Sequence, residues 1–416
     1  MKKRLSFFIA LVLSITLLTT PIVSGSELGE ISLLVNHIEV DFDQSPVWVE
    51  DTLYIPFRAL FDALGGEVLW DEESRIATGI YNDYTINVQI DDSLVKTYLS
   101  EDFFYEETLV LNGRLLLSVQ FITELLPVYA YWYDEFNAVH IAAPSQGFFW
   151  EINNDGVLVY LLGSIHVGKE DLYPIRSAIE YAFLSSDYLV LEADILNVDE
   201  AIIPYLNNLQ MYTDGSTLED NISEDLFNEV LEFYAQFGIG ADIINLFKPW
   251  ALTLEINSVN LAMQGFSGEY GIESYFLNYK PESMEIIELE GLIYQMELLN
   301  SYSPELQEYL LADVLRNSSD EFILMNMWKD GDLELLESIY VLDENEMTSE
   351  EKALSNEYLD ALMIKRNYEM TDAIEALLIG ETKGTYFVII GAGHFVGEEG
   401  IIDLLINKGF DIVSHN

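Results

Sequence analysis

The sequence predicts an α/β protein: a C-terminal α/β domain with a large helical insertion, preceded by a small pseudo-symmetric α+β domain. Three observations lead there. Two continuous apolar runs, 157–162 and 385–390, stand at opposite ends of the C-terminal part and read as strands buried on both faces of a sheet. The stretch between them, 198–380, has helical period. Upstream, one segment of sequence occurs twice.

The chain opens with Lys2, Lys3 and Arg4, an apolar stretch over 5–18, and small residues at Ser24, Gly25 and Ser26. That order reads as an export signal, residues 1–25, either cleaved or kept as an anchor, with the rest of the chain outside the cytoplasmic membrane. Residues 30–142 form the first domain. Its repeat is Leu53-Tyr-Ile-Pro-Phe-Arg-Ala-Leu-Phe-Asp-Ala-Leu-Gly-Gly-Glu-Val-Leu-Trp70, echoed by Leu115-Leu-Leu-Ser-Val-Gln-Phe-Ile-Thr-Glu-Leu-Leu-Pro-Val-Tyr-Ala-Tyr-Trp132. Each copy reads as strand, helix, turn and a strand carrying Trp. Acidic turns at 71–73 and 134–135 then lead into a further strand, 76–80 or 138–141. Between the copies, 85–90 alternates as a strand does. His37 and His140 lack ligand spacing and read as structural or surface residues.

Residues 143–147 read as a short linker into the second domain, 148–416. After the first buried strand, Pro174 is expected at the first position of a helix over 175–184. The strand 187–192 completes a βαβ unit. Pro249, Pro281 and Pro304 punctuate the helical middle, where 284–287 alone suggests a strand. Residues 348–380 read as a helix pair or one long helix. The end of the chain supplies the strand 384–391, a helix over 400–407 and a last strand at 411–413.

Composition narrows the function. Half of the 416 residues are hydrophobic, enough for a large core. Against 72 Asp and Glu stand 18 Lys and Arg, a net charge of −54. Such a surface repels phosphate backbones and anionic bilayers, so nucleic acid is not an expected partner. There are no cysteines, which excludes disulfides, thiol catalysis, thiolate metal sites and a lipoprotein anchor. Any metal must be held by His, Asp, Glu or backbone oxygen.

Two of the five histidines occupy matching contexts: Gly163-Ser-Ile-His166 and Gly391-Ala-Gly-His394 each follow a buried strand. Ligands bind outside the carboxyl ends of strands in open α/β sheets, so parallel neighbours would aim both imidazoles into one crevice. Gly163 and Gly391 are expected to allow a tight exit from each strand. Glu192 ends the strand 188–192 and emerges at the same end. Two His and one Glu suit Mn, Co or Zn with positions left open, and such a metal activates water toward an amide or ester. Glu192 is either the third ligand or the general base.

From Tyr160 onward the chain resembles the TraB/GumN family, which includes the Tiki membrane metalloproteases. The motifs are Leu161-Leu-Gly-Ser-Ile-His-Val-Gly168, Ser186-Asp-Tyr-Leu-Val-Leu-Glu-Ala-Asp194, Lys248-Pro-Trp250 and Gly271-Ile-Glu-Ser-Tyr-Phe276. They continue with Ile287-Glu-Leu-Glu290 and Gln295, Trp328-Lys-Asp-Gly-Asp332, Arg366-Asn367 with Met370, and Gly391-Ala-Gly-His-Phe-Val-Gly397. The resemblance implies a metal-dependent peptidase acting on a peptide or protein substrate outside the membrane, with His166, His394 and Glu192 essential. Glu273 stands where the family has Asp and is expected to support the site. Lys365 replaces a Glu before Arg366 and Asn367. Arg366 would hold a carboxylate or steady an oxyanion, while Trp250, Trp328 and Gln295 read as packing residues. Peptide sequestration and hydrolysis of a non-peptide ester are the alternatives. The first domain resembles the copper amine oxidase N-terminal-like (stalk) domain over 33–141, on Tyr54-Ile-Pro-Phe-Arg58 and Ala63-Leu-Gly-Gly-Glu-Val-Leu-Trp-Asp71. Ser118, Val119 and Gln120 depart from its pattern in the second copy. The domain is expected to be a spacer or to contact the cell wall or envelope.

Overall fold

The structure, a computed structural model, describes residues 31–82, 84–90, 95–99, 102–104, 108–133, 136–317, 321–339 and 348–416. The export signal and the acidic turn at 134–135 lie outside the described residues. The described chain parts into two compact units between Ile141 and Ala142. No helix among the described residues is long and apolar enough to cross a membrane.

In the first unit the repeat is visible as structure. The strand Thr52–Pro56, helix Phe57–Ala63 and strands Glu67–Asp71 and Ile76–Tyr81 are echoed by Arg114–Ser118, Val119–Leu125, Tyr129–Tyr133 and Ala138–Ala142. The first strands of the two copies pair antiparallel, Ser118 opposite Tyr54. Their helices bury Leu60, Phe61, Phe121 and Ile122 in one core with Ile86 and Val88. Ser118, which breaks the repeat's pattern, restores a helix start by other means: its Oγ accepts from Phe121 N at 3.2 Å. His37 and His140 form a pair. The His37 N–H donates to His140 Nε2 at 3.1 Å, and the rings lie 4.2 Å apart.

The second unit is built on a six-stranded sheet in the order Glu285–Glu288, Tyr188–Leu191, Thr385–Gly391, Val157–Ser164, Phe148–Asn154, Ile412–Ser414. The first four strands are parallel and the last two pair antiparallel. The strand Phe148–Asn154 has little sequence signal, because only its first three residues form an apolar run. The apolar strands Thr385–Gly391 and Val157–Ser164 lie inside the sheet, as continuous hydrophobic runs should. Leu161, Leu189, Phe276, Phe387 and Trp328 pack in the core around them. Between the strands, helices of the insertion gather a smaller core around Leu226, Val230, Leu252, Ile256 and Leu311.

Two local expectations need correction. Pro174 does not open a helix. Ile175 bridges Ser145 in extended form, so the helix starts at Ser177. Of the two expectations for 348–380 the structure shows the single long run, through Ser349–Leu359, a π turn Asp360–Ile364 and Lys365–Ile379. Residues 143–147 are not a free linker. Ser145 N donates to Pro174 O at 2.8 Å and its Oγ to Leu172 O at 2.7 Å, while Gln146 N and Gly147 N donate to Lys329 O and Trp328 O.

A fragment 142–416 should therefore melt cooperatively by itself. A fragment 148–416, lacking those bonds, should melt about 5–10 °C lower, at about 1 kcal/mol per buried hydrogen bond. Equal melting temperatures would contradict the anchoring role of 143–147. The His140 pair predicts an acid-sensitive first unit. Burial and the neighbouring His37 push the His140 imidazole down to about 4. A depressed pKa stabilises the neutral form, so this contribution is whole above pH 6.5 and is lost as pH falls toward 4. It amounts to roughly 3 kcal/mol. In the full chain, NMR should show His140 titrating near 4; a midpoint near 6.5 would contradict the pairing.

Candidate active site

Four parallel strands deliver four side chains to one end of the sheet. Val157–Ser164 leads to His166, Tyr188–Leu191 to Glu192, Glu285–Glu288 to Glu290, and Thr385–Gly391 to the short turn Ala392–Phe395 that carries His394. The register places Ser164 opposite Gly391 and Leu191 opposite Ile389, so the strands end nearly level. His166, Glu192, Arg366 and His394 line one cleft of about 850 Å³.

Both imidazoles are anchored through Nδ1. His166 Nδ1 lies 2.8 Å from Glu273 Oε1, an oxygen that also accepts from Ser164 Oγ. His394 Nδ1 lies 2.6 Å from Asn367 Oδ1. The orientation of that amide is set on its other side, where Nδ2 donates to Glu399 O at 2.8 Å. A carboxylate and an amide oxygen only accept, so each histidine donates from Nδ1 and leaves Nε2 for the cleft. This is the arrangement of metal-binding histidines, whose outward N–H is held by a fixed acceptor.

Glu192 is tied from three sides. Oε1 accepts from Gly391 N at 2.7 Å; Oε2 accepts from Gln295 Nε2 at 3.2 Å and from Arg366 Nη2. Arg366 also donates to both oxygens of Glu290 at 2.8 Å and to Leu362 O at 3.1 Å. The π turn Asp360–Ile364 contains that carbonyl and ends two residues before Arg366, and such turns are frequent at functional sites. The Arg366 side chain is 6% exposed, so this is a buried ion pair and not a helix-surface one. Lys365 instead faces outward, 3.8 Å from Glu369.

The glycines matter for space. Neither Gly163 nor Gly391 has positive φ, so the expected backbone freedom is not what they provide. A Cβ on Gly163 would press to 3.2 Å from Ala392 Cα. A Cβ on Gly391 would stand 3.5 Å from Glu192 Oε1, 3.5 Å from His394 Cδ2 and 3.7 Å from His166 Nε2. It would fill the room that the three groups enclose.

Charge is unbalanced here. Glu192, Glu273 and Glu290 are all nearly buried, and Arg366 is the permanent cation among the described residues bonded to them. Burial pushes the Glu192 carboxyl up, but His394, His166, Arg366 and the Gly391 N–H together hold it below the usual range. The Glu273 carboxylate, bonded to the His166 ring, lifts it to about 9. Burial lowers His394 to about 4, so its ring is neutral with a lone pair to offer. Two imidazole nitrogens beside surplus carboxylate are a fitting donor set for a divalent cation. No group of three or more His, Asp or Glu among the described residues stands at metal-holding spacing. What the site offers a cation is the two histidines alone, with Glu192 drawn toward Arg366.

The structure thus brings together His166, His394, Glu192, Arg366, Glu273, Asn367, Gly163 and Gly391. Glu290 and Ser164 enter the site without a role in the sequence pattern, and Gln295, expected to pack, bonds Glu192 instead. The motif Ile287-Glu-Leu-Glu290 was visible, but its meeting with Arg366 depends on the fourth parallel strand. Trp328 does pack, and its Nε1 donates to Gly163 O at 2.7 Å behind the site.

Fold and site define an α/β protein with a paired Gly-x-x-His crevice. The TraB/PrgY/gumN family model matches residues 148–414, and the chain belongs to that family. The copper amine oxidase N-terminal domain model matches residues 34–141. Uncharacterized protein YbaP of Escherichia coli (strain K12) is 26% identical over 251 residues, covering 59% of this chain and 87% of its own. Metalloprotease TIKI2 of Danio rerio is 24% identical over 301 residues, covering 61% of this chain and 57% of its own. An uncharacterized protein of Treponema pallidum (strain Nichols) is 24% identical over 270 residues, with coverage of 62% and 79%. No solved structure matches.

Gly391→Ala tests the enclosed space. Its methyl meets only ordinary contacts, so the melting temperature should hold within a few degrees while divalent-ion affinity falls at least about tenfold. Undiminished affinity would place the ion elsewhere. A proton on His166 must leave before Nε2 can bind metal. Affinity should therefore rise about tenfold per pH unit between 7 and 9 and then level off. A plateau already at pH 7 would contradict the raised pKa.

Proposed function

We propose that the C-terminal unit is a metal-dependent peptidase whose reacting centre is the space between His166, His394 and Glu192. The observation that carries this reading is the pair of Nδ1-anchored imidazoles, both leaving Nε2 beside a buried carboxylate cluster short of positive charge. Likeness to proteins named metalloproteases supports the same chemistry. When bound, a divalent ion such as Mn, Co or Zn supplies polarisation of a carbonyl and acidification of water.

The chain's own groups do the rest. His166 and His394 would hold the ion through Nε2, and Glu273 and Asn367 keep those rings from turning. Glu192 acts through Oε1, as a further ligand or as acceptor of the water proton. Arg366 has its Nε and Nη2 engaged by carboxylates, which makes it a positioning residue for Glu192. Gln295 bonds Glu192 and Glu290 together and shares that role. The basic and then apolar N-terminal sequence supports an exported protein acting outside the cytoplasmic membrane on a peptide or an exposed protein terminus.

A second reading, peptide binding without cleavage, is favoured by the lack of a three-ligand group among the described residues. One set of variants separates the two. His166→Ala and His394→Ala should each remove stoichiometric metal and any hydrolysis while leaving the fold intact. Glu192→Gln should keep metal and lower turnover about 10²–10⁴-fold if Glu192 is the base. It should lower metal affinity and turnover together if Glu192 is a ligand. Peptide binding with no metal-dependent product from the parent, read by mass, would establish the second reading instead.

A further inference from the structure

His166 is held by more than its ring. The residues that follow the strand Val157–Ser164 run beside 267–273, and hydrogen bonds lace the two segments together. Gly168 N donates to Ser267 O at 3.0 Å and Ser267 N to Gly168 O at 2.9 Å, while Ile272 N donates to Ile165 O at 3.0 Å. Between those bonds the His166 carbonyl lies against Gly271. A Cβ on Gly271 would stand 2.2 Å from His166 O and 2.8 Å from its carbonyl carbon, closer than a side chain can come. The Gly271 backbone has φ −68° and ψ 151°, an extended conformation open to any residue. What the position requires is therefore space for a close backbone approach.

The same segment reaches the other end of His166. The helix Ile272–Tyr279 begins directly after Gly271, and Glu273 in its first turn lies on the imidazole Nδ1. Gly271 thus meets the His166 main chain while Glu273 meets its ring. Behind the segment, the Tyr173 hydroxyl donates to Tyr270 O at 3.0 Å and to Gly271 O at 3.3 Å. The Tyr173 ring is stacked on Tyr275 with centroids 4.7 Å apart, which resists a retreat of Gly271. His394 is anchored separately, through Asn367.

We propose that Gly271 is a positioning residue for His166. Its lack of a side chain lets the His166 main chain seat against 267–273, and that seat puts Nε2 into the space shared with His394 and Glu192. The proposal rests on the metal-site reading for what Nε2 does there; the seat itself is independent of it.

Gly271→Ala and Gly268→Ala are compared in the full chain, with melting temperatures measured first. A Cβ on Gly268 would stand 3.9 Å from His166 O, an ordinary contact, so this variant adds a methyl to the same segment without pushing His166. In metal-free protein at pH 7, proton–nitrogen NMR should show the bonded His166 Nδ1 proton in the parent and in Gly268→Ala. In Gly271→Ala it should be lost to exchange, while the His394 Nδ1 proton persists. By calorimetry, Zn²⁺ affinity should fall about 10–100-fold in Gly271→Ala, the usual effect of disturbing the groups that orient a ligand, and hold in Gly268→Ala. Loss of the His166 signal in Gly271→Ala, with a parent that binds no Zn²⁺, would uphold the seat and sink the metal reading. A folded Gly271→Ala that keeps the signal, or in which a binding parent's affinity is unchanged, overturns the proposal. So does a Gly268→Ala that loses the signal as well. If Gly271→Ala fails to fold, Tyr173→Phe takes its place by removing the hydroxyl behind the segment. It should speed exchange of the His166 Nδ1 proton at least about threefold, within the worth of one hydrogen bond, and exchange at the parental rate overturns the proposal.

Discussion

Parallel pairing of Thr385–Gly391 between Val157–Ser164 and Tyr188–Leu191 is the constraint on which the site depends. The three strands come from the two ends of the unit, with the helical insertion between them. Pairing in this register brings their carboxyl ends level. The bond from Gly391 N to Glu192 Oε1 then joins the backbone after one strand to the side chain after another. A shift of one residue in either pair would turn the side chains at the strand ends to the opposite face. The hydrophobic core around Leu161, Leu189 and Phe387 resists that shift, because each strand is buried on both faces.

The site itself is organised by charge. Two nearly buried carboxylates, Glu192 and Glu290, share the Arg366 guanidinium, a third, Glu273, has only the His166 ring, and buried charge without a partner is strongly unfavourable. Without a metal, part of the imbalance falls on His166, whose ring takes up a proton more readily beside Glu273. His394 answers differently, staying neutral because burial outweighs the neighbouring Glu192. The two imidazoles share a motif but not an environment: the His166 side chain is 69% exposed to the cleft, while His394 is buried. Such a division suits one ring that meets solvent and substrate and another that anchors.

Much of this was legible in the sequence. The duplicated Gly-x-x-His after apolar runs, and Glu192 at the end of Leu-Val-Leu, located the crevice because strand ends and buried runs follow from local pattern. The repeat in the first unit was legible for the same reason, as strand, helix, turn and strand in each copy, and its helices fall at 57–63 and 119–125. What escaped depends on contacts between distant segments. Gln295 and Glu290 acquire their roles only where a short strand and a helix start meet Arg366. The role of Gly391 is space among three side chains, which no local pattern shows. Residues 143–147 look like a linker by composition, yet their N–H groups find carbonyls far along the chain.

The central claim is that both Nε2 atoms face one shared space with their Nδ1 protons anchored. Its most direct test is long-range proton–nitrogen NMR on histidine-labelled protein, titrated with one equivalent of Zn²⁺ at pH 8. Before addition, His394 should show a protonated Nδ1 and a bare Nε2. On addition, the Nε2 signals of His166 and His394 should move together and saturate at one equivalent, while His37, His140 and His415 stay in place. A His394 protonated at Nε2 before addition, or a titration that moves only one of the two rings, would contradict the account.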